Sequence, residues 1–580
     1  MQELKYIDTI NEVYKEIGFI PINGQERAVN QVLIAFLDDK HKNVVLSADT
    51  GTGKSIIGLV VARCLGKLLD DGAGELISVH SNSLVEQYKD TYKNNDSVMI
   101  IKGKSNYPCD FLRHELDDET ATAEDCVITS PQNLDEDNTI CANCQYLKDR
   151  QRVNTIQTLI TNYSYQFTSN TITNHLVPRL INVFDESHCI NDTWASFFDI
   201  TINDELFDKI KKYYSDDKDI FHFGADVDFS NDVRDKATEL MVDIGKIHKV
   251  LPQVTIDNYM RYIQKITKLL NEFYSYFQKY LEKFSNLTET NATVLKKVTR
   301  VRRHHNVINR LVTTLKEFVE VGYEHSFELT EYNDLVIKPI FVGKYSEKIM
   351  SDYNLFMSAT VSGEYIKSTL ELDDVGYIVL DPVYDPSQKP IAFVGNAKLN
   401  YQLMKEESTW KYLVDNIKVV ADAEDFLGEK GLIFVTSYSM ATNISDRLKR
   451  DRNFLRRHRI FCHERGQKID DVIKEFKEYK GSAILISPSI WEGVDFSDDY
   501  ARYQIITKAP YPSLGEARIK YIANCYSDMY KIMTTKKIIQ AVGRGIRNKD
   551  DWAYTFVLDG AVRDLFDSRH NTWKKQFEVI

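Results

Sequence analysis

The sequence predicts an α/β protein built on two parallel sheets, and three observations carry that prediction. The apolar run NVVL at Asn43 to Leu46 leads into SADTGTGKS at Ser47 to Ser55, a strand entering a glycine-rich turn. A second apolar run, LINVFDESH at Leu180 to His188, ends on adjacent acids. After Ala392 the β-branched runs KGLIFVTSY, SAILISPSI, RYQIITKAP and AYTFVLDG alternate with helical stretches such as SYSMATNISDRLKR. That alternation marks strands buried on both faces by crossover helices.

The first run predicts a phosphate site. In Thr50-Gly51-Thr52-Gly53-Lys54-Ser55 the glycines let successive amides face phosphate oxygens, and the helical spacing of IIGLVVARCLGKLL adds a helix N-terminus. Lys54 is expected to reach the terminal phosphates and Ser55 to hold Mg²⁺. The strand ending at Asp185 places a second carboxylate at the C-terminal sheet edge, where ligands sit in open parallel sheets. Asp185 is expected to bind Mg²⁺, mostly through water, and Glu186 to act as general base.

With these residues in view, the chain resembles the superfamily 2 helicases, whose Asp-Glu-x-His box matches DESH. Further motifs follow in that family's order. MSATVSG from Met357 resembles the Ser-Ala-Thr motif that couples hydrolysis to strand contacts. IWEGVDF from Ile490 resembles the motif of the second motor domain that contacts nucleotide and DNA, which implies Gly493 and Asp495 as nucleotide-side residues. QAVGRGIRN from Gln540 matches Gln-x-x-Gly-Arg-x-x-Arg. Phosphoryl transfer spreads charge over the transferred oxygens, so guanidinium groups arriving from a second domain stabilise it only when the cleft closes. Arg544 and Arg547, three apart, share one helix face and are the arginine-finger candidates, with Gln540 orienting water or phosphate. Gln25, in FIPINGQERAVNQV, stands at a spacing similar to the glutamine that reads adenine in this superfamily; its amide both donates and accepts.

Cys109, Cys126, Cys141 and Cys144 cluster between the phosphate loop and DESH, whereas Cys64, Cys189, Cys462 and Cys525 are scattered and read as packing residues. Four thiolates can close a zinc site or hold an iron-sulfur cluster, and spacing alone does not choose. The passage YPCDF, EDCVI, CANCQYLKDR resembles the iron-sulfur domain of the XPD and DinG helicases, with Gln145 where that family often has proline and a short gap from Cys141 to Cys144. The resemblance implies a 4Fe-4S cluster, with zinc as the alternative.

Between DESH and MSAT lies a long insertion. In it Ile263, Ile266, Leu270, Phe273, Phe277, Leu281 and Phe284 recur at steps of three or four, an amphipathic helix, and a second helical pattern follows from Thr293 to Tyr323. XPD and DinG relatives carry a helical arch at this place. The resemblance therefore implies two RecA-like parallel-sheet motor domains with an inserted iron-sulfur domain and a helical arch. The expected division is motor domain 1 over 1–104, 151–190 and 341–391, the iron-sulfur domain over 105–150, the arch over 191–340 and motor domain 2 over 392–580.

A net charge of −12 gives no global pull on a polyanion, although Lys296 to His305 and Leu448 to Arg459 are locally basic. The absence of any run of ~18 apolar residues argues against a membrane-spanning helix. The expectation is a cytoplasmic, monomeric enzyme of a bacterium or a bacteriophage-infected host. It is read as an ATP- and Mg²⁺-dependent DNA helicase that moves 5′ to 3′ on single-stranded DNA and unwinds forked or duplex DNA, with RNA–DNA hybrid as a further substrate. The alternative is a translocase that remodels protein–DNA or RNA structures without unwinding.

Overall fold

The computed structural model describes residues 5–580 apart from 23, 50, 51, 94, 117, 118, 127–143, 172, 216–230, 256, 285–291, 323, 361, 383, 492–495, 497, 547–550 and 569–573. The first half contributes β1 (Asn43–Ser47), β2 (Glu75–Val79), β3 (Val98–Ile100), β4 (Thr158–Asn162) and β5 (Ile181–Asp185). The chain then leaves for an insertion bearing β6 (Ile200–Ile202), β7 (His325–Leu329) and β8 (Leu335–Pro339), and returns as β9 (Tyr353–Ser358) and β10 (Gly376–Val379). The first sheet has the order β10-β1-β9-β5-β2-β4-β3, with every neighbouring pair parallel. Every residue of β2, β4 and β5 is buried, as a sheet covered on both faces requires.

Register brings the chemistry to one edge. Ser47 pairs with Ser358 and Asp185 with Met357, so the C-terminal ends of β1, β9 and β5 lie side by side. The helix Lys54–Leu69, which follows the phosphate loop, approaches this trio closely at Gly58. A Cβ there would stand 2.7 Å from Met357 Cε and 2.8 Å from Val183 Cγ1.

The second half contains β11 (Pro390–Phe393), β12 (Lys430–Phe434), β13 (Arg459–Cys462), β14 (Ala483–Ser487), β15 (Tyr503–Ile506), β16 (Tyr554–Val557) and β17 (Glu578–Val579). They form a second parallel sheet, β13-β14-β12-β15-β16-β11-β17, whose first strand begins at Pro390. The four runs read as strands supply β12, β14, β15 and β16, and SYSMATNISDRLKR supplies the helix Tyr438–Lys449.

The insertion rises on the antiparallel sheet β6-β8-β7 and continues through long helices, among them Tyr259–Phe284 and Ala292–Val321. Ile263, Ile266, Leu270 and Phe273 are buried as the periodicity predicts; the side chains of Phe277, Leu281 and Phe284 lie outside the described residues. Ile522 and Met529 of the second half join the same apolar core. Polar contacts reinforce that junction: Tyr521 and Tyr526 donate to Glu324 at 2.6 and 2.7 Å, and Arg518 pairs with Asp192 at 3.3 Å.

Two sequence readings change. Cys525 is exposed at the end of the helix Ala517–Cys525, where the helix leaves the core, so it is not a packing residue. The basic run at Leu448 to Arg459 is partly neutralised within its own domain: Arg457 makes two 2.8 Å bonds to Asp422, and buried His458 bonds the same carboxylate at 2.9 Å. No helix among the described residues is long and apolar enough to cross a membrane.

Because Gly58 sits against two core side chains, Gly58→Val is expected to lower stability by about 1–3 kcal/mol through overpacking, read as a lower urea midpoint.

Candidate nucleotide site and its links to the second domain

The strand-to-helix turn after β1 is closed by its own backbone. Thr52 Oγ1 donates to Asp49 O at 2.9 Å, and Gly53 takes φ = 72°, a left-handed conformation that glycine adopts without strain. The buried Lys54 ammonium donates to Ala48 O and Asp49 O at 3.2 and 3.1 Å. Neutral carbonyls are weaker partners for an ammonium than a phosphate, so this cation is held in place for an anion. Thr50 and Gly51 lie outside the described residues.

Gln25 is buried and fastened to the loop. Its Nε2 donates to Thr52 O at 2.9 Å, and its Oε1 accepts from Ile22 N at 3.1 Å and from Tyr14 OH at 3.4 Å. A Cβ at Gly53 would meet Gln25 Nε2 at 2.3 Å, so the amide and the glycine fit only each other. From the other side Lys389 approaches Asp49 at 3.6 Å in a buried ion pair, tying the loop to the residue that precedes β11.

At the end of β5, Asp185 Oδ2 accepts from Ser55 Oγ at 3.1 Å and from Tyr88 OH at 2.8 Å, while Oδ1 accepts from the Glu186 amide at 3.0 Å. A hydroxyl and a carboxylate meeting at the loop mouth form the hard oxygen donor set that Mg²⁺ prefers, so Ser55 and Asp185 fit that ion. Burial, and then the charge of Glu186, push the Asp185 carboxyl above its ordinary range, and Lys54 opposes this. For Glu186, burial also acts upward, but hydrogen bonding from His188, the Lys54 charge and Ser358 outweigh it and hold the group ionised. Glu186 has φ = 55°, a conformation that costs a non-glycine residue of order 1–3 kcal/mol and aims its side chain away from the strand direction.

His188 is the hub. Its Nδ1 lies 2.7 Å from Ser358 Oγ and 3.2 Å from Glu186 Oε2, and its Nε2 lies 2.8 Å from Gln540 Nε2. The glutamine amide nitrogen can only donate, so with Nε2 facing the ring His188 Nε2 accepts and Nδ1 carries the proton toward Glu186 and Ser358. Lys536 Nζ also donates to His188 O at 3.1 Å. Gln540 Oε1 is buried without a hydrogen-bond partner among the described residues. Gln540 and Lys536 both belong to the helix Ser527–Val542 of the second half. Arg544 lies in the tight turn Gly543–Gly545 that follows; its side chain, all of Arg547, Gly493 and Asp495 lie outside the described residues.

The cysteine segment folds beside the first sheet. Cys109 and Cys126 are buried together with Leu112 and Ala121, and Cys144 caps the helix Gln145–Arg152. A hydrogen bond with Cys126, then burial, push the Cys109 thiol well above the ordinary thiol range, and the nearness of Cys126 and Cys144 adds to the effect. Cys109 and Cys126 are thus close neighbours, with Cys144 near enough to act on Cys109. Cys141 lies outside the described residues, and among the described residues no three His, Cys, Asp or Glu side chains gather closely enough to hold a metal ion.

Residues 422–573 match the helicase C-terminal domain family, and residues 19–225 match the type III restriction enzyme res subunit. The ATP-dependent DNA helicase YoaA of Haemophilus influenzae is 22% identical over 590 residues, spanning 89% of this chain and 88% of that protein. The S. tokodaii Xpd4 structure superposes with a TM-score of 0.56 at 14% identity, over 96% of this chain and 99% of that one. These matches place the chain among proteins similar to the XPD/DinG-like superfamily 2 helicases. A regulator of telomere elongation helicase 1 homolog from Drosophila willistoni is 23% identical over 208 residues, covering 31% of this chain and only 21% of that protein.

In this chain, the motifs MSAT and DESH meet as Ser358, Glu186 and His188, which sequence reading cited as motifs without assigning a role to His188 or Ser358. Tyr88, Lys389 and Lys536 were missed altogether. The signal for His188 was inside the box already quoted; Tyr88 and the two lysines sit in segments with no motif, and only packing reveals them.

If the His188–Gln540 bond aligns the hydrolytic carboxylate, His188→Ala and Gln540→Ala should each lower kcat for ATP roughly tenfold with little change in nucleotide affinity. The double variant should cost no more than either alone, read as a non-additive cycle in steady-state ATPase rates.

Proposed function

We propose that this chain is an ATP-driven motor that moves 5′ to 3′ along single-stranded DNA and separates forked or duplex DNA, RNA–DNA hybrids included. The observation that carries the reading is the hydrogen-bonded path Glu186–His188–Gln540, which joins the candidate general base of one sheet domain to a helix of the other. In such an arrangement the protonation and position of the base depend on how the two domains meet, which is what a motor needs to convert hydrolysis into movement. Lys54 binds and neutralises the phosphates, Glu186 takes the proton of the attacking water, and Gln540 Oε1 is an acceptor for that water. Arg544 and Arg547 supply charge to the transferred oxygens when the cleft closes. Mg²⁺ held by Ser55 and Asp185 would screen the phosphate charge.

A passage of about 720 Å³ supports single-stranded nucleic acid as the partner. Three segments line it: the first sheet domain at Asn82 and Asn162, the cysteine segment at Lys104, Tyr146 and Arg150, and the insertion at Arg310. Cations lie over rings within it, Lys104 over Tyr146 at 5.5 Å and Arg310 over Phe197 at 5.6 Å. Interleaved cations and aromatic faces suit a phosphate backbone with stacked bases, despite the acidic total charge. A 4Fe-4S cluster on Cys109, Cys126, Cys141 and Cys144 would brace one wall of this passage, a mechanical role, with zinc as the alternative occupant.

Glu186→Gln is expected to lower ATP turnover by about 10²-fold or more while retaining ATP binding, and Lys54→Ala to lose both, measured by ATPase rate and nucleotide affinity. On a fork with a 5′ tail, strand separation should require ATP and fall steeply with salt. Strand-stimulated ATPase without any displacement would instead favour a translocase that remodels protein–DNA or RNA structures.

Anaerobically purified protein is expected to contain iron and acid-labile sulfide and to lose its visible absorbance in Cys109→Ser. Stoichiometric zinc without iron would replace the cluster assignment.

A further inference from the structure

Tyr88 has no place in the motor chemistry described so far, yet it is buried and donates its hydroxyl to Asp185 Oδ2 at 2.8 Å. That oxygen is the one Ser55 also reaches, at 3.1 Å. Two donors therefore converge on one carboxylate oxygen, and the orientation of the carboxylate is set between them. The main chain is fixed independently, because Tyr163 OH donates to Asp185 O at 2.5 Å. The side-chain torsion is then held by three donors, Ser55 and Tyr88 on Oδ2 and the Glu186 amide on Oδ1, of which the Tyr88 hydroxyl is the shortest bond.

Tyr88 is carried by the helix Asn82–Thr91, whose first residue stands in the wall of the passage. Asn82 is engaged from both neighbouring segments there: its Oδ1 accepts from Asn162 Nδ2 at 2.6 Å, and its Nδ2 donates to Asn106 Oδ1 at 2.9 Å. Asn106 belongs to the segment leading to Cys109, and Asn162 ends β4. From Asn82 to Tyr88 is six residues, ~9 Å at ~1.5 Å per residue, so the passage and the metal carboxylate are joined by under two turns of one rigid helix. At its other end Tyr88 rests on Tyr92, ring centroids 6.0 Å apart, and Tyr92 in turn meets Phe19 at 5.9 Å. The helix is thus seated on the core through Val85 and Tyr88.

We propose that Tyr88 is the positioning residue that orients Asp185 for its metal ion, and that the helix Asn82–Thr91 makes this orientation depend on whether a single strand occupies the passage. A strand that displaces the Asn82–Asn106 or Asn82–Asn162 bonds shifts the helix, and the Tyr88 hydroxyl carries that shift to the Asp185 carboxylate. The chemistry is a hydrogen bond from the second shell of the metal site, which aligns a ligand without touching nucleotide. The inference rests on the reading of Ser55 and Asp185 as the Mg²⁺ ligands of an ATP-driven motor.

Tyr88→Phe keeps the ring and removes only the donor. Binding of a fluorescent ADP analogue is titrated with Mg²⁺, with and without oligo(dT), on the full chain. In the parent the half-saturating Mg²⁺ concentration should fall when oligo(dT) is added. In Tyr88→Phe it should be about tenfold higher and should no longer respond to oligo(dT). Superimposable Mg²⁺ curves for variant and parent, in both conditions, overturn the proposal. A parent that binds analogue and hydrolyses ATP while giving that result leaves the motor reading standing; a parent that hydrolyses no ATP on any strand defeats the motor reading itself. Should Tyr88→Phe fail to fold, 3-fluorotyrosine at position 88 provides the second measurement. Its fluorine resonance should move on adding Mg²⁺ with ADP and move again on adding oligo(dT), and a resonance indifferent to both overturns the proposal.

Discussion

Two adjacent carboxylates, the buried Asp185 and the partly buried Glu186, sit at the mouth of a cleft, and the rest of the site is organised by that electrostatic constraint. Burying one ionised carboxylate is costly and burying two side by side is more so, unless hydrogen bonds and an opposite charge compensate. Every neighbour described contributes to that compensation. Lys54 supplies the charge, Ser55 and Tyr88 donate to Asp185, and His188 and Ser358 donate to Glu186. The outcome divides the pair, with Asp185 pushed up and Glu186 held down.

Strand β9 makes this division possible. It lies between β1 and β5, so Ser358 at its end stands next to both the phosphate loop and the paired acids. From there Ser358 shares His188 with Glu186, and His188 reaches the second domain through Gln540. The same contact surface carries the buried Lys389–Asp49 pair on the other side of the phosphate loop. Two polar links, one to the base and one to the loop, therefore cross between the sheet domains. Because polar links are short-ranged and directional, a small rotation of one domain alters both at once.

The insertion and the cysteine segment stand apart from this chemistry and enclose the passage beside it. The insertion has an apolar core of its own, extended by Ile522 and Met529 from the second domain. The cysteine segment has little: Cys109, Cys126, Leu112 and Ala121 form one small cluster and Ala123, Tyr146 and Leu147 another. So small a buried set leaves this segment with little apolar stabilisation of its own beside that of the sheets. The helix Asn82–Thr91 touches both worlds, with its start at the passage and Tyr88 at the metal carboxylate.

The sequence by itself determined what is local: the glycine-rich turn after β1, the acids at the end of β5, the β-branched strands of the second sheet and the stripe from Ile263 to Phe273. Each depends on residues near one another in the chain, where periodicity and backbone preference act directly. Motif order also marked Gln540 as a site residue and quoted the boxes that contain His188 and Ser358 without assigning either a role. Only the tertiary structure decided that Gln540 donates to His188 across 352 residues of chain, that Tyr88 reaches Asp185 across 97, and that Gln25 is spent on Thr52. Hydrogen bonds over such separations have no periodic trace, because they exist only where the packing of helices on sheets brings two side chains within about 3 Å.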